Sequence, residues 1–304
     1  MRTRNIALGL ALVITSCFVP AQTKGGFNFY SASAEQKLGD QMAAQISNEM
    51  PTIDDPMLVA YSQQITARLA SSAHTDFPIS AQVVRCGSAN AFSIPGGKLY
   101  ICLEMIAQSQ NEAELAGVLA HEMGHIEHRD GTRALTRSEI FRFVAIPAMF
   151  VGGPVGLALR PALEWGGAAS LMKYSRTAER DADAEAVRLL QANGYDAQAF
   201  SQVFTRLEAG ARQKHSLFAS HPADADRARS IQALAQQDDS APQLIDSSDF
   251  QDAHNRALEL MQGETAAPVL RSRKPQAEEV EAKAVVSAPL VSSPVFHDLR
   301  DEMN

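Results

Sequence analysis

His121-Glu122-Met123-Gly124-His125 places two imidazoles and a carboxylate within five consecutive residues. On an α-helix, residues four apart are offset by roughly 40° around the axis, so His121 and His125 can point side by side at one ion. Glu122 then projects beside that ion. A carboxylate there can take a proton from metal-bound water, whose pKa zinc lowers from about 16 to about 7. These residue types in this order point to zinc-dependent hydrolysis. The competing reading is an amphipathic helix with two unrelated histidines and a solvated Glu122.

The chemistry needs a helix. Ser109 and Glu112 have the spacing of a capping box, ahead of an apolar side formed by Ala113, Leu115, Ala116, Val118, Leu119 and Ala120. Gly131, after His128, Arg129 and Asp130, is the expected stop. A catalytic zinc usually has three protein ligands and one open position, so the histidines need a partner. His128 shares part of the His125 face, but a third ligand so near on a straight helix would strain a tetrahedral arrangement. The extended pattern H-E-x-x-H-x-x-G-x-x-H is not met either, since position 128 is His and position 131 is Gly. His128 is therefore expected at the surface near a helix C-terminus. The other candidates are Glu179 and Asp183, which share a helical face: Glu179 could ligate while Asp183 accepts a hydrogen bond from a ligand imidazole. A solvated face with Arg176 and Arg180 paired to these acids has the same spacing, and spacing alone leaves both open.

The chain around these residues is long enough to bury a core, at 304 residues with 45% hydrophobic side chains. A net charge of -8 without a concentrated Lys/Arg tract argues against a nucleic-acid partner. Apolar spacing predicts helices over residues 33–50 and 54–72, then short β-rich runs over 77–85 and 98–102 around the Pro95-Gly96-Gly97 turn signal. Further helices are expected over 168–192, ended by Asn193-Gly194, and over 197–209, 224–237 and 248–261. Helices, then a small sheet, then helices is an α+β order, mainly helical. Residues 140–163 are apolar but interrupted by Pro147, Gly152, Gly153, Pro154 and Gly156, which predicts a buried or mobile hydrophobic loop rather than a membrane span, with peripheral membrane contact as the alternative. Trp165, the only tryptophan, follows it.

Arg2 and Arg4 before the apolar run 6–13 read as an export signal. Two cleavages compete. Val19-Pro20-Ala21 suits ordinary signal peptidase and gives a 1–21 leader; Ile14-Thr15-Ser16-Cys17 resembles a lipobox, giving a 1–16 leader and a lipid-anchored Cys17. Of three cysteines, Cys86 and Cys102 then remain, either as a disulfide or as buried thiols. From residue 263 to 304 the composition turns to Ala, Pro, Ser, Glu and Lys, expected as a flexible tail.

H-E-x-G-H at His121 to His125, followed by E-x-x-A-D at Glu179 to Asp183, resembles the M48 peptidase family of zinc metalloproteases, which includes CAAX prenyl proteases and HtpX-type proteases. Asn90-Ala91-Phe92-Ser93-Ile94-Pro95-Gly96-Gly97 and His221-Pro222 with Arg227 resemble two further segments of that family, and residues 33–39 resemble the lead-in of its exported members. The resemblance implies a gluzincin-type peptidase domain over residues 33–262, with one Zn²⁺ per chain held by His121, His125 and Glu179. It implies Glu122 as general base, Asp183 as support for a ligand imidazole, and His221 near the metal, stabilising the tetrahedral intermediate or closing the open position at rest. It further implies that residues Asn90, Ala91 and Phe92 form an edge strand that receives peptide substrate. The expected protein is an exported envelope endopeptidase acting on unfolded or misassembled polypeptides. A largely latent, chaperone-like metal-binding protein is the alternative. The membrane spans of the prenyl-protease-like members are not found after the leader.

Overall fold

A computed structural model describes residues 27–149, 174–209, 221, 225–236 and 244–266. The expected leader with Cys17, Trp165 and the tail beyond residue 266 lie outside the described residues. Helix α1 (Ala32–Glu49) starts at Ser31, whose hydroxyl accepts from the Ala34 N–H. Helix α2 (Pro56–Ala70) starts at Asp55, whose carboxylate accepts from Met57 and Leu58, with Pro56 where a missing N–H costs nothing.

Strands β1 (Ser80–Val84), β2 (Ala91–Ile94) and β3 (Lys98–Cys102) form one sheet in the order β1-β3-β2. β1 is parallel to β3, with Ser80 opposite Lys98; β2 is antiparallel to it, with Ala91 opposite Ile101. The turn between β2 and β3 needs φ of 80° at Gly96 and 81° at Gly97, and a Cβ on Gly97 would lie 2.5 Å from the Pro78 carbonyl oxygen. Residues 51–53 cover the outer edge of β1: Ile53 N–H donates to the Val83 carbonyl and Arg85 N–H to the Pro51 carbonyl, both at 3.0 Å. β2 is the other edge. Cys102 N–H donates to the Asn90 carbonyl at 3.1 Å, and the antiparallel alternation then turns the N–H and C=O of Ala91 and Ser93 away from β3.

Helix α3 (Leu103–Gln108) leads into α4 (Glu112–Glu127), which is buried at every residue from Glu112 to Ile126. Around α4 pack α2, the sheet, α6 (Arg176–Ala192) and α7 (Gln198–Ala209), while α5 (Asp130–Met149) follows it directly. Helix α8 (Ala225–Ala235) packs on α6 and α7, and α9 (Ser248–Ala266) returns across α2 and α3. Leu115, Leu119 and Met123 meet Leu69, Ile101 and Phe200 in one core, each burial contributing about 2 kcal/mol. No described helix is long and apolar enough to cross a membrane.

The mainly helical α+β architecture is as expected, and several local expectations are corrected. The N-cap of α4 is Asn111, not Ser109: Asn111 accepts from the Glu114 N–H, while the Ser109 hydroxyl donates back to the Met105 carbonyl and Glu112 takes the Tyr195 hydroxyl. Gly131 does not stop the helix. The break falls at Arg129, at φ 53°, and Gly131 already belongs to α5. Helix α6 begins at Arg176 because Ser175 caps it, so the start expected at residue 168 was too early. The first part of the expected hydrophobic loop is helical, as α5 runs to Met149, and α9 continues past Gly263 to Ala266.

Candidate metal centre

Gly124, inside the histidine motif, lets two helices touch: a Cβ there would lie 3.0 Å from Ala182 Cα and 3.1 Å from its carbonyl oxygen. This closeness brings the first turn of α6, with Glu179, up to the histidines of α4. An acid in that turn also suits the positive end of the helix dipole. The buried stripe of α6 continues through Ala182 and Asp183 to Leu189 and Leu190, so one face serves the site and then the core.

His121 Nε2 lies 3.1 Å from His125 Nε2 and 3.5 Å from Glu179 Oε2. His221 Nδ1 lies 3.1 Å from Glu179 Oε1 and 3.3 Å from His121 Nε2. The ligating atoms of all four residues fall within 4.8 Å of one another, and none of the four is more than 2% exposed. On their far sides, His121 Nδ1 lies 3.0 Å from Asp183 Oδ1 and His125 Nδ1 lies 2.8 Å from Asp130 Oδ2. A carboxylate at each Nδ1 favours the neutral tautomer that donates there, and in that tautomer both Nε2 lone pairs face across 3.1 Å. Two converging lone pairs repel unless a cation lies between them. The donor set therefore fits a metal ion.

Arg227 forks across both acids of α6, donating to Glu179 Oε2 at 2.8 Å and to the two Asp183 oxygens at 2.7 and 2.8 Å. Burial would raise the Glu122 pKa, but His221, with Nε2 at 3.1 Å, outweighs it and holds the carboxyl down at about 2. Burial is likewise outweighed at His221, which Glu122 and Glu179 push up to about 10, and at Glu179, which its histidine partners hold well below the usual carboxylate range. Burial keeps the His125 imidazole below its ordinary value. The Ser93 hydroxyl donates to Glu122 Oε2 at 2.9 Å, and the Tyr174 ring stacks on His125 with centroids 4.0 Å apart.

The structure thus brings His121, Glu122, His125, Glu179, Asp183 and His221 together and leaves His128 out of the cluster as a half-buried C-cap. Ala91 and Phe92 lie in β2 and Asn90 just before it, but the Phe92 ring stacks on Tyr100 towards α1, opposite to the Ser93 side that meets Glu122. Cys86 and Cys102 are joined in a disulfide with Cα atoms 5.5 Å apart. Glu104 accepts the Cys86 and Gly87 N–H groups beside it, so residues leading into β2 are pinned twice. Sequence reasoning assigned no role to Ser93, Asp130 or Tyr174, and none to Arg227 beyond its motif. For Ser93 a signal existed: strand alternation puts it on the face opposite Phe92.

A histidine pair and its neighbouring carboxylate on one helix, completed by a carboxylate from a second, define a metallopeptidase-type centre in an α+β fold. Residues 56–235 match the family model of peptidase family M48, and the chain belongs to that family. It is 28% identical over 244 residues to the beta-barrel assembly-enhancing protease of Escherichia coli K12, covering 75% of this chain and 49% of the relative. It is 28% identical to the mitochondrial metalloendopeptidase OMA1 of Schizosaccharomyces pombe, covering 71% and 65% respectively. With the metalloprotease LoiP of E. coli K12 it shares 26% identity, covering 76% of this chain and 95% of that protein. The chain spans about half the length of the beta-barrel assembly-enhancing proteases that it matches.

Proposed function

We propose that this chain is a zinc-dependent endopeptidase of the bacterial cell envelope acting on unfolded or misassembled proteins. The observation that carries the reading is the convergence of the His121 and His125 Nε2 atoms, 3.1 Å apart, with Glu179 from a second helix and Glu122 alongside. His121, His125 and Glu179 would hold the ion, with Asp183 orienting His121. Bound there, zinc supplies a Lewis acid that polarises a peptide carbonyl and lowers the pKa of water. Glu122 takes the proton of the attacking water and passes it to the leaving amine, so no acyl-enzyme forms. Ser93 holds Glu122 Oε2, and Oε1, which would take the proton, faces His221 Nε2 at 3.1 Å. His221, at 3.1 Å from Glu122, would stabilise charge developing on the carbonyl oxygen. Peptide would join the edge of β2 through the outward main-chain groups of Ala91 and Ser93, since those of Asn90 and Phe92, also expected to receive substrate, face β3.

Export through the N-terminal basic and apolar segment, with residence in the periplasm or lipid anchoring at Cys17, belongs to the same proposal. The relatives named as beta-barrel assembly-enhancing proteases support a protease role in the envelope, and a part in protein quality control is the finer reading proposed with it. Casein cleavage by purified, zinc-loaded protein tests the reading: Glu122→Gln should keep the metal and lose ~10²–10⁴-fold in rate. Full activity in that variant with unchanged metal content contradicts it.

One observation favours a second reading, a largely latent protein with chaperone-like binding. His221 Nδ1 stands among the ligating atoms, 3.1 Å from Glu179, where it could close the fourth position. His221→Ala should raise casein cleavage if the site is latent and lower it if His221 serves the reaction.

A further inference from the structure

We propose that Asp130 is a positioning residue for His125, and that a clasp between the N-terminal segment, α1 and Arg129 holds it in place. The inference rests on the reading of His125 as a metal ligand and adds the device that aims it. Asp130 lies five residues after His125, beyond the end of α4, yet its Oδ2 reaches back to His125 Nδ1 at 2.8 Å. It can do so because the chain turns sharply at Arg129, whose φ of 53° is left-handed, a conformation unusual for a residue with a Cβ. Asp130 then opens α5 with its carboxylate directed at the site, and it is only 4% exposed.

Such a turn persists only if its surroundings hold it. Arg129 Nε donates to Glu35 Oε2 at 2.6 Å, and another guanidinium nitrogen donates to the Tyr30 carbonyl at 2.7 Å. Glu35, itself 2% exposed, also accepts from the Thr132 hydroxyl at 2.8 Å, and Thr132 accepts from the Asn28 amide at 2.9 Å. The Phe29 N–H donates to the Thr136 hydroxyl at 3.0 Å. Residues 28–30 and the first turn of α1 are therefore laced to the corner between α4 and α5. The clasp fixes Arg129, the Arg129 turn fixes Asp130, and Asp130 fixes the His125 tautomer that turns the Nε2 lone pair towards Glu179 and His121. Residues next to the expected leader thus help to aim a metal ligand.

Zinc affinity measured by competition with a chromophoric chelator tests this on the full mature chain, with the melting temperature of each metal-free protein taken alongside. Asp130→Ala should bind zinc ~10–100-fold more weakly than wild type. Asp130→Asn should recover most of that loss, because its amide oxygen still accepts from Nδ1–H. Arg129→Gly, which tolerates the left-handed turn but lacks the guanidinium, should also bind more weakly. Wild-type affinity in Asp130→Ala overturns the positioning role, and wild-type affinity in Arg129→Gly overturns the clasp. A loss that Asp130→Asn fails to restore, or that simply follows the metal-free melting temperature, makes Asp130 a structural residue and also overturns the proposal. Failure of the wild type itself to bind zinc removes the metal-centre reading, and this inference with it.

Discussion

The two helices that meet at the metal centre are built on different plans. Helix α4 is enclosed on all sides, so His121, Glu122 and His125 share their turns with Leu115, Leu119 and Met123 of the core. Helix α6 buries a single stripe and exposes Arg180 and Asp181 on the opposite side. Along that stripe the acids come first and the leucines last, so chemistry and core occupy separate turns. The acids are held by Arg227 from α8, while His121 and His125 are held by one carboxylate each, from α6 and α5. The difference teaches that damage on α4 should strike fold and site together, whereas on the first turns of α6 the two should come apart.

Leu119→Ala tests the first half of that contrast and should have the largest effect, costing ~2–5 kcal/mol of stability through the cavity it leaves at a fully buried position. Thermal unfolding in the presence of a chelator measures this free of any metal contribution. Asp183→Ala tests the second half: zinc affinity should fall ~10–100-fold, while metal-free stability changes less than in Leu119→Ala because Arg227 keeps its partner Glu179. Equal losses of stability in the two variants would erase the contrast. Gly124→Ala, where the helices touch, should do both at once. Its Cβ would lie 3.0 Å from the Ala182 backbone, costing ~1–3 kcal/mol as α6 is pushed away, and zinc affinity should fall as Glu179 moves with it. Asp181→Ala, on the exposed side of α6, should alter stability by no more than ~0.5 kcal/mol and leave zinc content unchanged.

Much of this arrangement was legible in the chain itself. Helical spacing marked α4 as the carrier of two imidazoles, and the four-residue offset of Glu179 and Asp183 marked one face of α6. Spacing could not say whether that face met the histidines or water, because the answer depends on Gly124 approaching Ala182, a contact between distant segments. The α4 cap was misread for a similar reason. Ser109 and Glu112 have capping chemistry, but Glu112 is taken by Tyr195, far along the chain. Asp130 escaped notice because the turn that aims it is made by an arginine, and the left-handed backbone there is stabilised by Glu35 and Tyr30 rather than announced by a glycine.

The central claim, that the metal site is shared between α4 and α6, is tested most directly by zinc stoichiometry in purified wild type, His125→Ala and Glu179→Ala. The account predicts one zinc per chain in the wild type and loss of tight zinc from both variants, because each removes one of three ligands. Retention of full, tightly held zinc by Glu179→Ala would mean that α6 supplies no ligand and that the centre is not bipartite.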